Sequence, residues 1–120
     1  MSYDISLRDK DSGKTLHLDK PHSMTGGTYI LGGTDETWLN VTYNYAEHFR
    51  RVFGNNGGIR CIYGKSGAES IPMLKSAISQ LGDDVNENDY WEATEGNVKK
   101  SLCNLLEMAK LRPDGIWGGD

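Results

Sequence analysis

Cysteine, proline and phenylalanine are all scarce in this chain, at two, three and two residues among 120. The cysteines, Cys61 and Cys103, fall on separate predicted elements and form no Cys-x-x-Cys pair, so they read as reduced thiols. No apolar run approaches the roughly 20 residues that a membrane-spanning helix needs. Basic charge is also short: 13 Lys and Arg against 17 Asp and Glu leave -4 at pH 7. General nucleic-acid binding needs a basic face that displaces counterions from phosphates, so that class is not expected. The opening residues Met1-Ser2-Tyr3-Asp4 are polar and acidic, unlike the basic and apolar regions of a signal peptide. A cytoplasmic protein is expected, in which the Asn40-Val41-Thr42 sequon has no meaning.

Glycine is in excess, with 15 residues placed singly or in pairs between apolar runs. That placement matches neither collagen nor low complexity, and it describes one globular domain, 1–120, with many tight turns.

Tyr3, Ile5 and Leu7 alternate with polar residues at strand period, and Thr15, Leu16 and Leu18 begin a second strand. Asp11-Ser12-Gly13-Lys14 supplies turn chemistry between them, so the first twenty residues predict a hairpin. Gly-Gly-Thr then occurs twice, at 26–28 and 32–34, flanking a short predicted strand from Tyr29 to Leu31. Over 35–53 two periods compete. Leu39, Val41, Tyr43 and Tyr45 alternate, while Leu39, Thr42, Ala46, Phe49 and Phe53 keep helical spacing. The helical series is longer, so a helix is predicted over most of the stretch, reached through an extended Trp38 to Asn40. Ile59 to Tyr63 reads as a short buried strand.

Ser66-Gly67-Ala68-Glu69 has capping-box form and opens a helix with stripe Ile71, Leu74, Ala77, Ile78 and Leu81, with Pro72 confined to its first turns. Thr94 caps a last helix with stripe Val98, Leu102, Leu105, Leu106 and Ala109. Pro113-Asp114-Gly115 ends it, and Ile116-Trp117 adds an edge strand. The expected class is α+β: a small antiparallel sheet, from the N-terminal hairpin plus short strands, packed by about three helices.

Candidate sites follow from this frame. Gly64-Lys65-Ser66 lies before a helix, but a Walker loop needs glycine where Ile59 stands. The helix start could instead hold an anion through its free N–H groups, or be an ordinary capped turn. The three histidines, His17, His22 and His48, show no metal-ligand spacing, and no nucleophile elbow surrounds Ser66 or Ser70. No cofactor, metal or catalytic set is expected. On a helix, Asn40, Asn44 and His48 recur at i, i+4 and i+8, a stripe able to read donors and acceptors of a small ligand. Tyr29, Trp38, Tyr43 and Tyr63 offer stacking faces beside it. The other reading of this stripe is a solvated face with the tyrosines in the core. From Asp83 to Glu95 six carboxylates stand without one Lys or Arg, either as a solvated connection or as a phosphate-like surface, with Tyr90 and Trp91 expected to anchor it to the core.

Five blocks carry a resemblance: Gly-Gly-Thr-Tyr-Ile-Leu-Gly-Gly-Thr (26–34), Trp-Leu-Asn-Val-Thr-Tyr-Asn-Tyr (38–45), Gly-Ala-Glu-Ser-Ile-Pro (67–72), Asp-Tyr-Trp-Glu-Ala-Thr-Glu-Gly-Asn (89–97) and Arg-Pro-Asp-Gly-Ile-Trp (112–117). Together they resemble a family of small uncharacterised proteins carried by bacteriophages and mobile elements, mainly of Gram-positive bacteria. The resemblance implies an accessory protein expressed inside a bacterial host, with counter-defence as the analogy. It implies no residue roles.

Three functions stay open. The first is non-enzymatic binding of a host protein or a nucleotide-like small molecule through Tyr29, Trp38, Asn40, Tyr43, Asn44 and His48, with Arg60, Lys65 and Ser66 complementing an anion. The second is a protein inhibitor that uses 83–95 as a phosphate mimic. The third is a small hydrolase of a nucleotide or sugar phosphate, dependent on His48 and Glu69.

Overall fold

Inward-facing Tyr3, Ile5 and Leu7 place β1 (Ser2–Arg8) at the centre of a three-stranded antiparallel sheet. The computed structural model describes residues 1–28 and 33–120. On one side of β1 runs β4 (Trp38–Thr42), with Ile5 opposite Leu39 and Tyr3 opposite Val41. On the other side lies β5 (Ile116–Gly119), with Leu7 opposite Trp117. A second, two-stranded sheet pairs β2 (His17–His22) with β3 (Thr34–Glu36). The class is α+β, as expected.

The predicted N-terminal hairpin survives only at its first rungs. Asp9 accepts from the N–H groups of Asp11 and Ser12, Gly13 takes φ 73°, and Leu16 N–H donates to the Leu7 carbonyl at 2.9 Å. Beyond the Arg8–Thr15 bridge the chain leaves for the second sheet. β4 wins the edge of β1 because Leu39 and Val41 are buried there. Full burial stabilises such a side chain by about 1.5–3 kcal/mol. β2 reads His-Leu-Asp-Lys-Pro-His, with Leu18 as its single aliphatic residue.

The stretch 35–53 also departs from expectation. The strand period governs its first half, β3 and β4, because Trp38, Val41 and Thr42 suit a pleated surface and complete the core face of β1. Thr42 then caps a 3-10 turn, Tyr43–Tyr45, and only Ala46–Phe53 is α-helical, as α1. The long helical series had joined a strand's inward residues to those of a shorter helix. The expected strand at 59–63 is a 3-10 helix, Gly58–Ile62. Buried Ile59 and Ile62 lie three apart, on one face of such a turn, and Gly57 and Gly58 take φ 91° and 55° to enter it.

The predicted capping box opens α2 (Gly67–Ser79), with Pro72 in its second turn, and Thr94 caps α3 (Glu95–Leu111). Leu74 and Ala77 of α2 and Val98, Leu102, Leu105 and Met108 of α3 join the inner sheet face in one core. Trp117, on the predicted edge strand, reaches into that core and donates from Nε1 to Ser70 Oγ at 2.7 Å.

Both outer edges of the larger sheet are covered by the chain itself. Thr42 N–H donates to the Gly26 carbonyl, and on β5 Gly64 N–H donates to the Trp117 carbonyl. The first glycine pair exists for this approach: a Cβ at Gly26 would stand 2.7 Å from the Asn40 carbonyl oxygen. Gly27, at φ 86°, lies against the Tyr45 hydroxyl. The predicted strand from Tyr29 to Leu31 lies outside the described residues.

Candidate functional site

Asn40, Asn44 and His48 do not form one helical stripe, because they stand on β4, on the 3-10 turn and on α1 respectively. Trp38 and Asn40 share the sheet face turned away from the helices. Trp38 Nε1 and Asn40 Nδ2 donate to the same Asp4 carboxylate oxygen at 3.0 and 2.9 Å. Tyr29 lies outside the described residues.

Asn44 and His48 point elsewhere, to the acidic loop. Asn44 Nδ2 donates to the Trp91 carbonyl at 3.1 Å, the Tyr45 hydroxyl donates to the Tyr90 carbonyl, and His48 Nε2 meets the Ala93 carbonyl at 2.9 Å. A carbonyl only accepts, so Nε2 carries the proton, and Nδ1 accepts from Arg51 at 3.1 Å. Burial pushes the Tyr45 phenol up to about 12, aided by the charge of Asp89, so it stays a donor.

From the other side the loop rests on α3. Buried Asn97 donates through Nδ2 to the carbonyls of Glu92 and Asp89 at 3.0 and 3.1 Å, and its Oδ1 accepts from Asn86 N–H at 3.2 Å. Gly96 lets the loop cross the first turn of the helix. A Cβ there would stand 2.7 Å from the Asp84 carbonyl carbon. The loop is therefore held by its backbone carbonyls, from α1 and its preceding turn on one side and from α3 on the other.

That arrangement leaves side chains outward. Asp83, Asp84, Glu87 and Glu92 are exposed. Asp83 meets Lys99 at 2.7 Å, Asp84 accepts from Gly96 N–H, and Glu92 accepts from Asn86 Nδ2. Asp89 is half-buried, and its Oδ1 is a buried oxygen without a partner among the described residues. Trp91, expected as a core anchor, is instead 48% exposed, edge-on to half-buried Tyr90, and Val85 of the same loop is also exposed. Two of the four exposed large apolar residues described in the structure belong to this one acidic segment.

The remaining predicted residues divide between two places. Arg60 stacks on the rings of Tyr3 and Tyr43, 4.9 and 5.7 Å from their centroids, and binds the Asp120 carboxylate. Lys65 and Ser66 lie at the start of α2, whose backbone donors are already engaged. Gly67 and Ala68 donate to the carbonyls of Gly115 and Pro113, Glu69 N–H donates to Ser66 Oγ, and Ser66 N–H donates to the Glu69 carboxylate. An anion approaching this helix start meets a carboxylate where it needs an N–H. The residues named for a hydrolase, His48 and Glu69, both serve these structural bonds.

A cleft of about 450 Å³ lies between β2 and the C-terminal end of α3, and the sequence pattern did not signal it. Leu18, Pro21, Met24 and Leu111 supply its apolar wall, and His17, Lys20, Glu107 and Arg112 its polar groups. His17 Nδ1 lies 2.9 Å from Asp35, and Arg112 is held by both Asp114 oxygens and by the His17 carbonyl. These residues are spread from 17 to 112, and their spacing along the chain carried no motif. Asn97 was likewise missed, although an amide three residues after the Thr94 cap is a usable signal. Among the described residues no cluster of three His, Cys, Asp or Glu side chains has metal-binding geometry, and no helix is long and apolar enough to cross a membrane. No family model, curated protein or solved structure matches the chain.

Proposed function

We propose that this is a non-enzymatic binding protein that engages a basic partner protein through the loop 83–95, and that it acts as an accessory, counter-defence protein of a phage or mobile element inside a bacterial host. The observation that carries the reading is the pinned backbone. Four side chains, Asn44, Tyr45, His48 and Asn97, take up loop carbonyls, while four carboxylates, Trp91 and Val85 face solvent. A loop ordered before binding loses little conformational entropy on association. An exposed tryptophan within a charged rim has the chemistry of an interface anchor. The carboxylates resemble phosphates in sign, which fits a partner groove that otherwise holds nucleic acid.

The test is capture of host proteins on the immobilised domain, followed by elution with duplex DNA and with salt. A basic protein released by both is expected. Combined Asp83→Asn, Glu87→Gln and Glu92→Gln should abolish its capture without lowering the melting temperature. Trp91→Ala should weaken affinity about 30-fold, the roughly 2 kcal/mol of a hot-spot anchor. Undiminished capture by the neutralised loop sinks the reading.

A second reading places a nucleotide-like small molecule in the β2–α3 cleft, whose volume of about 450 Å³ is that of a ligand pocket. A nucleotide or cyclic dinucleotide at 100 times its Kd would add about 2.7 kcal/mol of stability. A screen of melting temperatures without any shift removes it.

A further inference from the structure

Arg60 was expected to complement an anion, and it holds one supplied by the chain. Its Nε donates to Asp120 Oδ2 at 2.8 Å, its Nη2 lies 2.7 Å from the same oxygen as an ion pair, and the Tyr63 hydroxyl donates to Asp120 Oδ1 at 2.9 Å. Both carboxylate oxygens are thus recognised. We propose that Arg60 and Tyr63 form a carboxylate-recognition site that Asp120 occupies in cis, and that an aspartate or glutamate side chain of a partner takes its place. This goes beyond the acidic loop and involves none of its residues.

The receptor is built independently of its occupant. The guanidinium lies over the rings of Tyr3 and Tyr43, which pack edge to face at 4.5 Å, and its Nη2 also donates to the Tyr43 hydroxyl at 3.3 Å. Cation–π stacking of this kind holds a guanidinium in place while leaving its fork of donors open. The Tyr63 ring lies directly on Gly119, where a side chain would displace it. Burial, then the hydrogen bond to Asp120, raises the Tyr63 phenol, which remains a protonated donor.

The occupant, by contrast, is loosely seated. Asp120 is the one described non-glycine residue at positive φ, 64°, a region that glycine adopts more readily than aspartate. Its backbone tie is one bond, from its N–H to the Asp4 carbonyl at 2.9 Å. The Arg60 and Asp120 side chains stay 43% and 34% exposed, so water screens the pair and a competing ligand can reach it. What Asp120 has in its favour is tethering, an effective concentration of about millimolar.

The test uses the full chain with a C-terminal Gly-Ser extension in every form, so that no terminal carboxylate enters the site. The probes are N-acetyl-Gly-Asp-amide and its phosphoserine counterpart, titrated while the Arg60 Nε–H resonance is followed. Asp120→Gly removes the occupant and accepts the positive φ, which preserves folding. It should bind the aspartyl probe saturably, at least about tenfold more tightly than the unmutated chain. Arg60→Gln in the same background should abolish that binding. Equal affinity with and without Asp120, no saturable shift in Asp120→Gly, or binding that survives Arg60→Gln would each overturn the proposal. Tighter binding of the phosphoserine probe would overturn the choice of a carboxylate as its ligand.

Discussion

The start of α2 and the loop before α3 are both exposed, polar and irregular, yet they dispose of their charge in opposite ways. At the start of α2 the donors and the carboxylate satisfy one another: Ser66 and Glu69 exchange two hydrogen bonds, and the next two N–H groups meet carbonyls of 113 and 115. In the acidic loop side chains from elsewhere take up backbone carbonyls, and its own carboxylates stay exposed even where Lys99, Gly96 N–H or Asn86 meets one oxygen. A phosphate-loop look-alike is therefore chemically closed, whereas a segment with no motif presents charge and an indole to solvent. The availability of a group, more than its type, separates the two.

Breaking the loop's support should have the largest effect. Asn97→Ala leaves the Asn86 N–H unpartnered and removes the second donor from the carbonyls of Glu92 and Asp89, at a position 5% exposed. An orphaned buried N–H costs about 1–3 kcal/mol and each further hydrogen bond lost about 1 kcal/mol, so a loss near 3 kcal/mol is expected. Urea melts would read that loss, and hydrogen exchange should accelerate over 86–93 while α2 stays protected. Equal acceleration at both segments would erase the contrast between them. Gly96→Ala comes next. In an open helix that change stabilises by about 1 kcal/mol. Here the new methyl meets the backbone of 83 and 84 at 2.7–2.8 Å, so a net loss of about 2 kcal/mol is expected, with the sign of the change as the measurement.

How much of this was legible follows the range of the interactions. Both caps, at Ser66 and Thr94, are readable because their partners lie within a few residues, whereas Ile116-Trp117 is readable only as an apolar pair after a helix stop, its partners Leu7 and Arg8 lying far away in the chain. The hairpin failed because two strands compete for the same edge of β1, and only tertiary burial of Leu39 and Val41 decides between them. The 40–44–48 stripe failed for a related reason. Helical and strand series share Leu39, and a chain that changes from strand to helix after Thr42 satisfies both in part. Site residues fared according to partner distance too. Asn44 and His48 were expected to face a small ligand; they meet loop carbonyls 47 and 45 positions away, and such distant partners give no local sign. The paired glycines at 26 and 27, read from sequence as flanking a strand, allow close backbone approach to β4 and Tyr45.

The smallest effect belongs to the closed segment and has a definite sign. Hydrogen bonds from the Ser66 backbone and side chain hold the Glu69 carboxyl below its ordinary value, and Lys65 adds to this. A carboxylate whose folded pKa is depressed contributes stability above its unfolded pKa, near 4.5 for this group, and loses it as pH falls through the folded value. Asp9, Asp114 and Asp120 are depressed in the same direction, so the acid limb of the wild-type curve mixes all four. The difference between wild type and Glu69→Gln isolates one of them. That difference should be constant from pH 7 to about 5.5, shrink through the carboxylate range and vanish in stronger acid. Ser66→Ala should cost about 1 kcal/mol at pH 7 by removing the other half of the box. Combined with Glu69→Gln, it should add little, because each bond positions the other. Full additivity of the two would show that the capping residues act separately, and the helix start would then not be mutually closed.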